Sequence, residues 1–264
     1  MDQLVLVEKR DGYRILTLNR PDKLNSFNAE LHLALRAAMD AAEADKSCRA
    51  IILTGAGRGF CAGQDLSDRM VTIKAGEAPN LQDTIGLYYN PLIRRIRAYP
   101  MPVICAVNGV AAGAGANIAL ACDIVVAARS AKFLQAFAKI GLMPDAGGTW
   151  SLPRLAGPAR ARGMAMLAEP ITAETAEAWG MIWKVTDDAA LMADAEAMGT
   201  KFATAPTNAL AAIKRALDAA ETNTLDQQLD LERDMQQSLA TGPDYAEGVS
   251  AFFAKRAPKF KGRS

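Results

Sequence analysis

The stretch Pro102–Arg129, PVICAVNGVAAGAGANIALACDIVVAAR, decides the fold class. It opens with PVICAVNG, a short apolar run rich in β-branched residues, which reads as a buried strand. A glycine–alanine turn leads into a helical run, GVAAGAGANIALA, and DIVVAAR then reads as a second strand. Strands that alternate with helices pair mainly in parallel, because each helix carries the chain back across the sheet.

The same alternation extends outward. LVLVEK and YRILTLN are strand-like and separated by Asp11-Gly12, a hairpin signal. Asn28 caps a long amphipathic helix ending near Asp45, RAIILTG is a buried strand, and GLYYNPLIRRIRAYP is a helix stopped at Pro100. The GEAPN segment, residues 76–80, reads as an exposed loop. Beyond about residue 190 only helical patterns follow: ALMADAEAMGTKFATA, TNALAAIKRALDAAE, LDQQLDLERDMQQSLA and DYAEGVSAFFAKR. The expected architecture is an α/β core over residues 1–190 with a helical C-terminal region over 191–264. Apolar stripes on such helices need a surface to pack against, so they cover a site or build an oligomer.

Composition narrows the function classes. The chain has 264 residues, half of them hydrophobic, and a formal charge of +1. That balance gives no electrostatic reason to expect nucleic acid or an anionic membrane as partner. No apolar run is long enough to cross a bilayer, and the charges in MDQLVLVEKRDGY are unlike a secretory leader, so a cytoplasmic protein is expected. Cys48, Cys61, Cys105 and Cys122 show no paired spacing, and His32 is the one histidine, so no metal site is expected. Ser-His-Asp and Cys-His catalysis fail for the same reason unless His32 is the base; its setting, NAELHLALRAAMDAAEAD, places it on a helix face.

Two glycine-rich turns follow strands: LTGAGRGFCAGQDL (Leu53–Leu66) and VNGVAAGAGANIAL (Val107–Leu120). Neither has the dinucleotide spacing or the Gly-Lys-Ser/Thr of a phosphate loop. One backbone N–H from each could instead aim at a single developing oxyanion. Asp145, in GLMPDAGGTW (Gly141–Trp150), is the only carboxylate between Asp123 and Glu169. It reads either as a turn or N-cap residue after proline, or as a lone base in an apolar pocket.

Taken in order, NRPDKLNSFN, FCAGQDL, AVNGVAAGAGANIALACDI, SAKF, PDAGGTW and EGVSAFFAKRAPKF resemble the crotonase (enoyl-CoA hydratase/isomerase) superfamily along nearly the whole chain. The resemblance implies a crotonase-like spiral of ββα repeats whose helical C-terminal region mediates trimers, often paired into hexamers. It implies an acyl-CoA thioester substrate, with coenzyme A as part of the substrate and no separate cofactor. The N–H groups of Ala62 and Ala114 would hold the thioester oxygen of an enolate. Lys23, Leu24, Gln64, Asp65 and Leu66 would contact coenzyme A, and so would Phe252 and Lys255, which in some relatives come from a neighbouring subunit.

Family hydratases use two glutamates, and the matching positions here are Asn117 and Phe137, which would line the substrate pocket without acid–base capacity. Asp145 stands where several family isomerases, and a related dehalogenase, carry a catalytic aspartate. The dehalogenase pattern also needs a histidine and a tryptophan, and Asn90 and Phe137 occupy those places. One carboxylate that removes and returns a proton is isomerase logic. Further segments, among them YNPLIRRI, IGLMPDAGGTW, WGMIW and AETNTLDQQLDLERD, are similar to the branch that converts the ring epoxide of phenylacetyl-CoA to an oxepin thioester in phenylacetate degradation. A 3-enoyl to 2-enoyl shift is the simpler reaction implied. The alternatives are an enoyl-CoA hydratase and a non-catalytic acyl-CoA-binding scaffold; co-assembly with a partner hydratase is a further expectation.

Overall fold

The computed structural model describes residues 3–263. Ten strands are formed among the described residues, most of them in consecutive pairs separated by helices: β1 (Val5–Arg10), β2 (Tyr13–Leu18), β3 (Ala50–Gly55), β4 (Gly59–Cys61), β5 (Val103–Val107), β6 (Val110–Ala112), β7 (Ile124–Ala128), β8 (Lys132–Leu134), β9 (Ile171–Thr172) and β10 (Lys184–Thr186). The hairpin expected at Asp11-Gly12 forms, with Arg10 opposite Tyr13 and Gly12 at φ +77°. β2, β3, β5, β7 and β10 then add in parallel, giving a six-stranded sheet in the order β1-β2-β3-β5-β7-β10. β3 and β5 are buried along their whole length, which explains why they read as continuous apolar runs rather than alternating ones.

Each inner strand hands the chain to a short strand of a second sheet: β3 to β4, β5 to β6, β7 to β8. That sheet has the order β4-β6-β8-β9, parallel except at β9. The repeat of one long strand, one short strand and a connecting segment is the expected spiral. It also corrects the reading of GVAAGAGANIALA as one helix. Val110–Ala112 is a strand, because β4 and β8 satisfy its backbone on either side, and the helix is confined to Ala114–Leu120.

The helix Ala29–Ala44 starts at Asn28, whose side chain accepts the Leu31 N–H at 3.0 Å, and ends at Asp45 as expected. The predicted helix before Pro100 is an α-helix, Asn90–Ala98, entered through one π turn, Ile85–Tyr89. The four C-terminal patterns become helices Leu191–Ala203, Thr207–Ala220, Leu225–Ala240 and Pro243–Phe253. The first is seated on the large sheet: a Cβ at Gly199 would lie 2.9 Å from the Tyr13 ring. The tail returns to the same protomer's core, where Arg49 donates to the carbonyls of Phe260 (3.0 Å) and Lys261 (2.9 Å). Among the described residues no helix is long and apolar enough to cross a membrane.

One partly buried ion pair ties the helix Thr207–Ala220 to the sheet. Lys214 Nζ donates to Asp123 at 2.9 Å and to the Ile96 carbonyl at 2.6 Å, and Asp123 also accepts the Val103 N–H. Burial raises the Asp123 pKa, with Lys214 pulling it back down. Lys214→Met therefore leaves the partly exposed Asp123 carboxylate without its cation and is expected to destabilise the fold by roughly 1–3 kcal/mol, read as a lowered urea midpoint.

Candidate active site

β4 and β6 run parallel and side by side, with Cys61 opposite Ala111, so both chains leave the second sheet at the same edge. β4 continues into Ala62-Gly63-Gln64 and β6 into Gly113-Ala114. The two turns touch. A Cβ at Gly63 would lie 2.9 Å from the Ala112 carbonyl oxygen and 3.4 Å from the Ala114 nitrogen. A Cβ at Gly115 would meet the Cys61 carbonyl oxygen at 2.3 Å. Glycine at both places is what lets backbone approach backbone.

Which N–H groups remain free follows from the hydrogen bonds around them. Gly113 N–H is used by the Leu134 carbonyl (2.7 Å), whereas Ala114, the first residue of its helix, has no acceptor among the described residues. On the facing turn the expectation for Ala62 fails, because its N–H donates to the Leu24 carbonyl at 2.9 Å. Residues 24–27 zip along this turn, with Phe27 N–H on the Gly63 carbonyl (2.7 Å) and Asp65 N–H on the Phe27 carbonyl (2.8 Å). In such a bridge alternate residues point their N–H away from the partner. Here that residue is Gln64, whose N–H has no acceptor among the described residues. The available donors are thus Ala114 and Gln64.

Asp145 lies in the turn before the helix Gly148–Ala156. The N-cap of that helix is Gly147 and no side chain caps it, so the capping reading of Asp145 does not hold. The turn reading does: its carbonyl accepts the Gly148 N–H at 2.8 Å. The carboxylate is another matter. Its Oδ1 is buried without a hydrogen-bond partner. Burial raises the Asp145 pKa above the ordinary aspartate value, opposed by the positive charge of Arg69.

Tyr89, the last residue of the π turn, is buried near this carboxylate, and desolvation raises its pKa, with Cys61 and Asp145 adding to the effect. Its hydroxyl donates to Gln64 Oε1 at 3.0 Å, steadying the turn that carries one free N–H. Single π turns inside helical segments are frequent at functional sites. An aromatic doublet, Tyr88-Tyr89, was the only mark of it in the sequence.

Phe137 is buried, with its ring 3.6 Å from where a Cβ at Gly113 would lie. Asn117 does not meet its expectation. It is 1% exposed and both ends of its amide are used inside the protein, Nδ2 on the Asp145 carbonyl (2.8 Å) and Oδ1 under Gln135 Nε2 (2.9 Å). An amide bonded at both ends inside the protein does not line a pocket.

Of the expected coenzyme A contacts, Lys23 is exposed on the 3-10 turn Pro21–Lys23, Leu24 follows in the left-handed region, and Leu66 is exposed. These three and Gln64 are brought together by the zipped turns. Asp65 is brought there too, but with its carboxylate committed: Oδ2 takes Arg20 Nη2 (2.9 Å) and Oδ1 takes the Ser67 N–H (3.0 Å). Although burial opposes it, those bonds hold its pKa at about 2. Asp65 therefore fixes the loop rather than meeting a ligand. Phe252 lines a different cavity, of about 790 Å³, with Tyr99, Arg215 and Tyr245. Lys255 is exposed just past the same helix. His32 is packed between Phe27, Tyr88 and Tyr89, where burial, with Arg36 adding, lowers its pKa to about 3, unsuited to base catalysis at neutral pH.

Comparison with known proteins places the chain in a family. The Enoyl-CoA hydratase/isomerase family model matches residues 8–263. The chain is 56% identical over 263 residues, all of both chains, to the 1,2-epoxyphenylacetyl-CoA isomerase of Escherichia coli (strain K12). It is 48% identical over 256 residues, 97% of each chain, to a Rhodobacter capsulatus protein named "Probable enoyl-CoA hydratase". The crystal structure of an enoyl-CoA hydratase from Polaromonas sp. JS666 superposes with a TM-score of 0.89 at 37% identity, covering 97% of this chain and 99% of that one. The chain belongs to the enoyl-CoA hydratase/isomerase (crotonase) family.

Proposed function

We propose that this protein is a coenzyme A thioester isomerase working through an enolate, and that its main substrate is a ring 1,2-epoxide of phenylacetyl-CoA, which it converts to the oxepin thioester. The observation that carries the reading is the Asp145 carboxyl, whose Oδ1 is buried without a hydrogen-bond partner, on a turn bonded through Asn117 to the helix that begins at Ala114. The full-length likeness to the Escherichia coli isomerase supports the choice of substrate.

In this reading the thioester oxygen accepts from Ala114 and Gln64 N–H. Asp145 takes a proton from the carbon next to the thioester, and the electron pair moves onto that oxygen as the enolate. As the enolate re-forms the carbonyl, a double bond forms from the carbon next to the thioester to the ring, the ring C–C bond shared with the epoxide breaks to give the seven-membered ring, and the electron pair released onto ring carbon takes back the proton held by Asp145. No second acid is needed, because the proton that leaves is the proton that returns. The same relay shifts a 3-enoyl thioester to the conjugated 2-enoyl form. Coenzyme A arrives as part of the substrate, along Lys23, Leu24 and Leu66, and no separate cofactor takes part. Phe252 and Lys255 contribute only from a neighbouring subunit, which fits a trimer or a dimer of trimers; cytoplasmic placement and co-assembly with a partner hydratase complete the proposal.

The hydratase names among the relatives favour a second reading, enoyl-thioester hydration. Against it, Asn117 and Phe137 carry no acid–base group, and the Asn117 amide is bonded at both ends inside the protein. One pair of assays separates the readings. With a 3-enoyl-CoA the enzyme is expected to generate the absorbance of the conjugated thioester. With crotonyl-CoA it is expected to leave that absorbance unchanged. Rapid loss of crotonyl absorbance with formation of a 3-hydroxyacyl product refutes the isomerase reading, and activity on neither of these esters nor on the ring-epoxide thioester points to a scaffold.

A further inference from the structure

The turn that presents Asp145 is a strained piece of backbone. Ala146 and Gly147, between the Asp145 carbonyl and the Gly148 N–H that bonds to it, lie at φ +46° and +80°. Alanine rarely adopts the left-handed region, and such residues persist only where the surroundings over-determine them. Here the surroundings are a chain of two amides. Asn117 Nδ2 donates to the same Asp145 carbonyl at 2.8 Å, and Gln135 Nε2 donates to Asn117 Oδ1 at 2.9 Å. Both side chains are buried, Asn117 at 1% and Gln135 at 0% exposure. Gly148 completes the seat, since a Cβ there would lie 2.4 Å from Asn117 Nδ2.

The pair joins three segments that have to agree on a geometry. Asn117 stands one turn after Ala114 on the helix Ala114–Leu120, Asp145 is on the base turn, and Gln135 lies between β8 and the 3-10 turn carrying Phe137. Gln135 Oε1 is itself buried with no partner, so the one bond its side chain makes is the donation to Asn117. That donation decides which end of the Asn117 amide faces the Asp145 carbonyl: oxygen toward Gln135, nitrogen toward the base turn.

We propose that Asn117 is a positioning residue that holds the Asp145 turn in register with the Ala114 N–H, and that Gln135 acts through it by fixing the direction of its amide. This rests on the reading of Asp145 as the base. Neither amide meets substrate; their effect is on where the carboxylate stands in the transition state, so kcat responds and thioester binding does not.

The test is a double-mutant cycle on the full-length enzyme, with conjugation of a 3-enoyl-CoA as the rate and calorimetric titration of a non-reacting acyl-CoA as the binding measurement. Asn117→Leu, which keeps the volume and removes the donor, is expected to lower kcat at least tenfold with KM within twofold. Gln135→Met is expected to lower kcat by a smaller factor, and the double variant to match Asn117→Leu alone, because Gln135 has no route except through Asn117. Two packing lesions would instead multiply. Should Asn117→Leu fold poorly, Gln135→Met still carries the test, since an unchanged kcat in it overturns the role given to Gln135. An Asn117→Leu enzyme with kcat within twofold of the parent, or losses that multiply in the double variant, overturns the inference. Asp145→Asn is run beside them: if it keeps turnover, the base reading fails and takes this inference with it. If it is inactive while Asn117→Leu is fully active, only the positioning role fails.

Discussion

Asp145→Asn is expected to reduce isomerisation of a CoA thioester by on the order of 10⁴-fold, the upper range for removing a general base, while acyl-CoA binding stays within a few-fold. The size follows from isolation. His32 is locked in an aromatic cluster with its pKa lowered, Asp65 is committed to Arg20 and Ser67, and Asn117 and Phe137 carry no titratable group. Among these described residues no second group is free to take the proton. Burial raises the Asp145 pKa, so the acid limb of kcat/KM is expected above the pH at which an ordinary aspartate titrates. Arg69 opposes that shift, so Arg69→Gln is expected to move the limb further up.

The same variant makes a prediction about stability with a definite sign. A carboxyl whose folded pKa lies above its unfolded value favours the protonated form in the fold. Its stabilising contribution is fully present below the unfolded pKa and is lost as pH rises through the folded pKa. At neutral pH the parent therefore holds an ionised, desolvated carboxylate at a cost, and Asp145→Asn removes it. The variant is expected to melt at a higher temperature than the parent at pH 7, and the difference is expected to close in acid below pH 4, where both side chains are neutral. A lower melting temperature at pH 7 would mean that the carboxylate is stabilised by its surroundings rather than strained by them.

Legibility from sequence stopped where local pattern stops. β2, β3, β5 and β7 are five or six residues of apolar chain, and they stand out because both faces are buried. β4, β6, β8 and β9 are two or three residues each, built from Gly, Ala, Cys, Val and a few others, and they exist only because a partner strand lies alongside. That is why VAA before the helix read as helical. The Ala62 assignment failed for a related reason. Which N–H of a turn is free is decided by the strand facing it, and Leu24 lies 38 residues earlier in the chain. Asp145 was visible as a charge out of place, but the amide chain that holds it was not, because the Asn117 amide takes its direction from Gln135.

Ala114→Pro tests the other half of the chemistry. Ala114 is the first residue of its helix, where proline is tolerated because the N–H there has no intrahelical acceptor and the ring sets a helical φ. Gly113 before it sits at φ +53°, ψ −126°, an extended mirror-image conformation open to glycine and compatible with a following proline. The substitution therefore deletes one donor, and puts ring carbon in its place, without unravelling the helix. Loss of a single oxyanion donor costs on the order of 10² to 10³ in kcat, roughly 3–4 kcal/mol of transition-state stabilisation. Ala114→Gly is the matched control, since it keeps the N–H, and it is expected to retain kcat within a few-fold. Melting temperature separates folding from chemistry: the proline variant is expected to remain within a few degrees of the parent. If Ala114→Pro turns over as fast as Ala114→Gly, the charge on the thioester oxygen is stabilised elsewhere. The convergence of the two turns would then serve the packing of β4 against β6 and not the reaction.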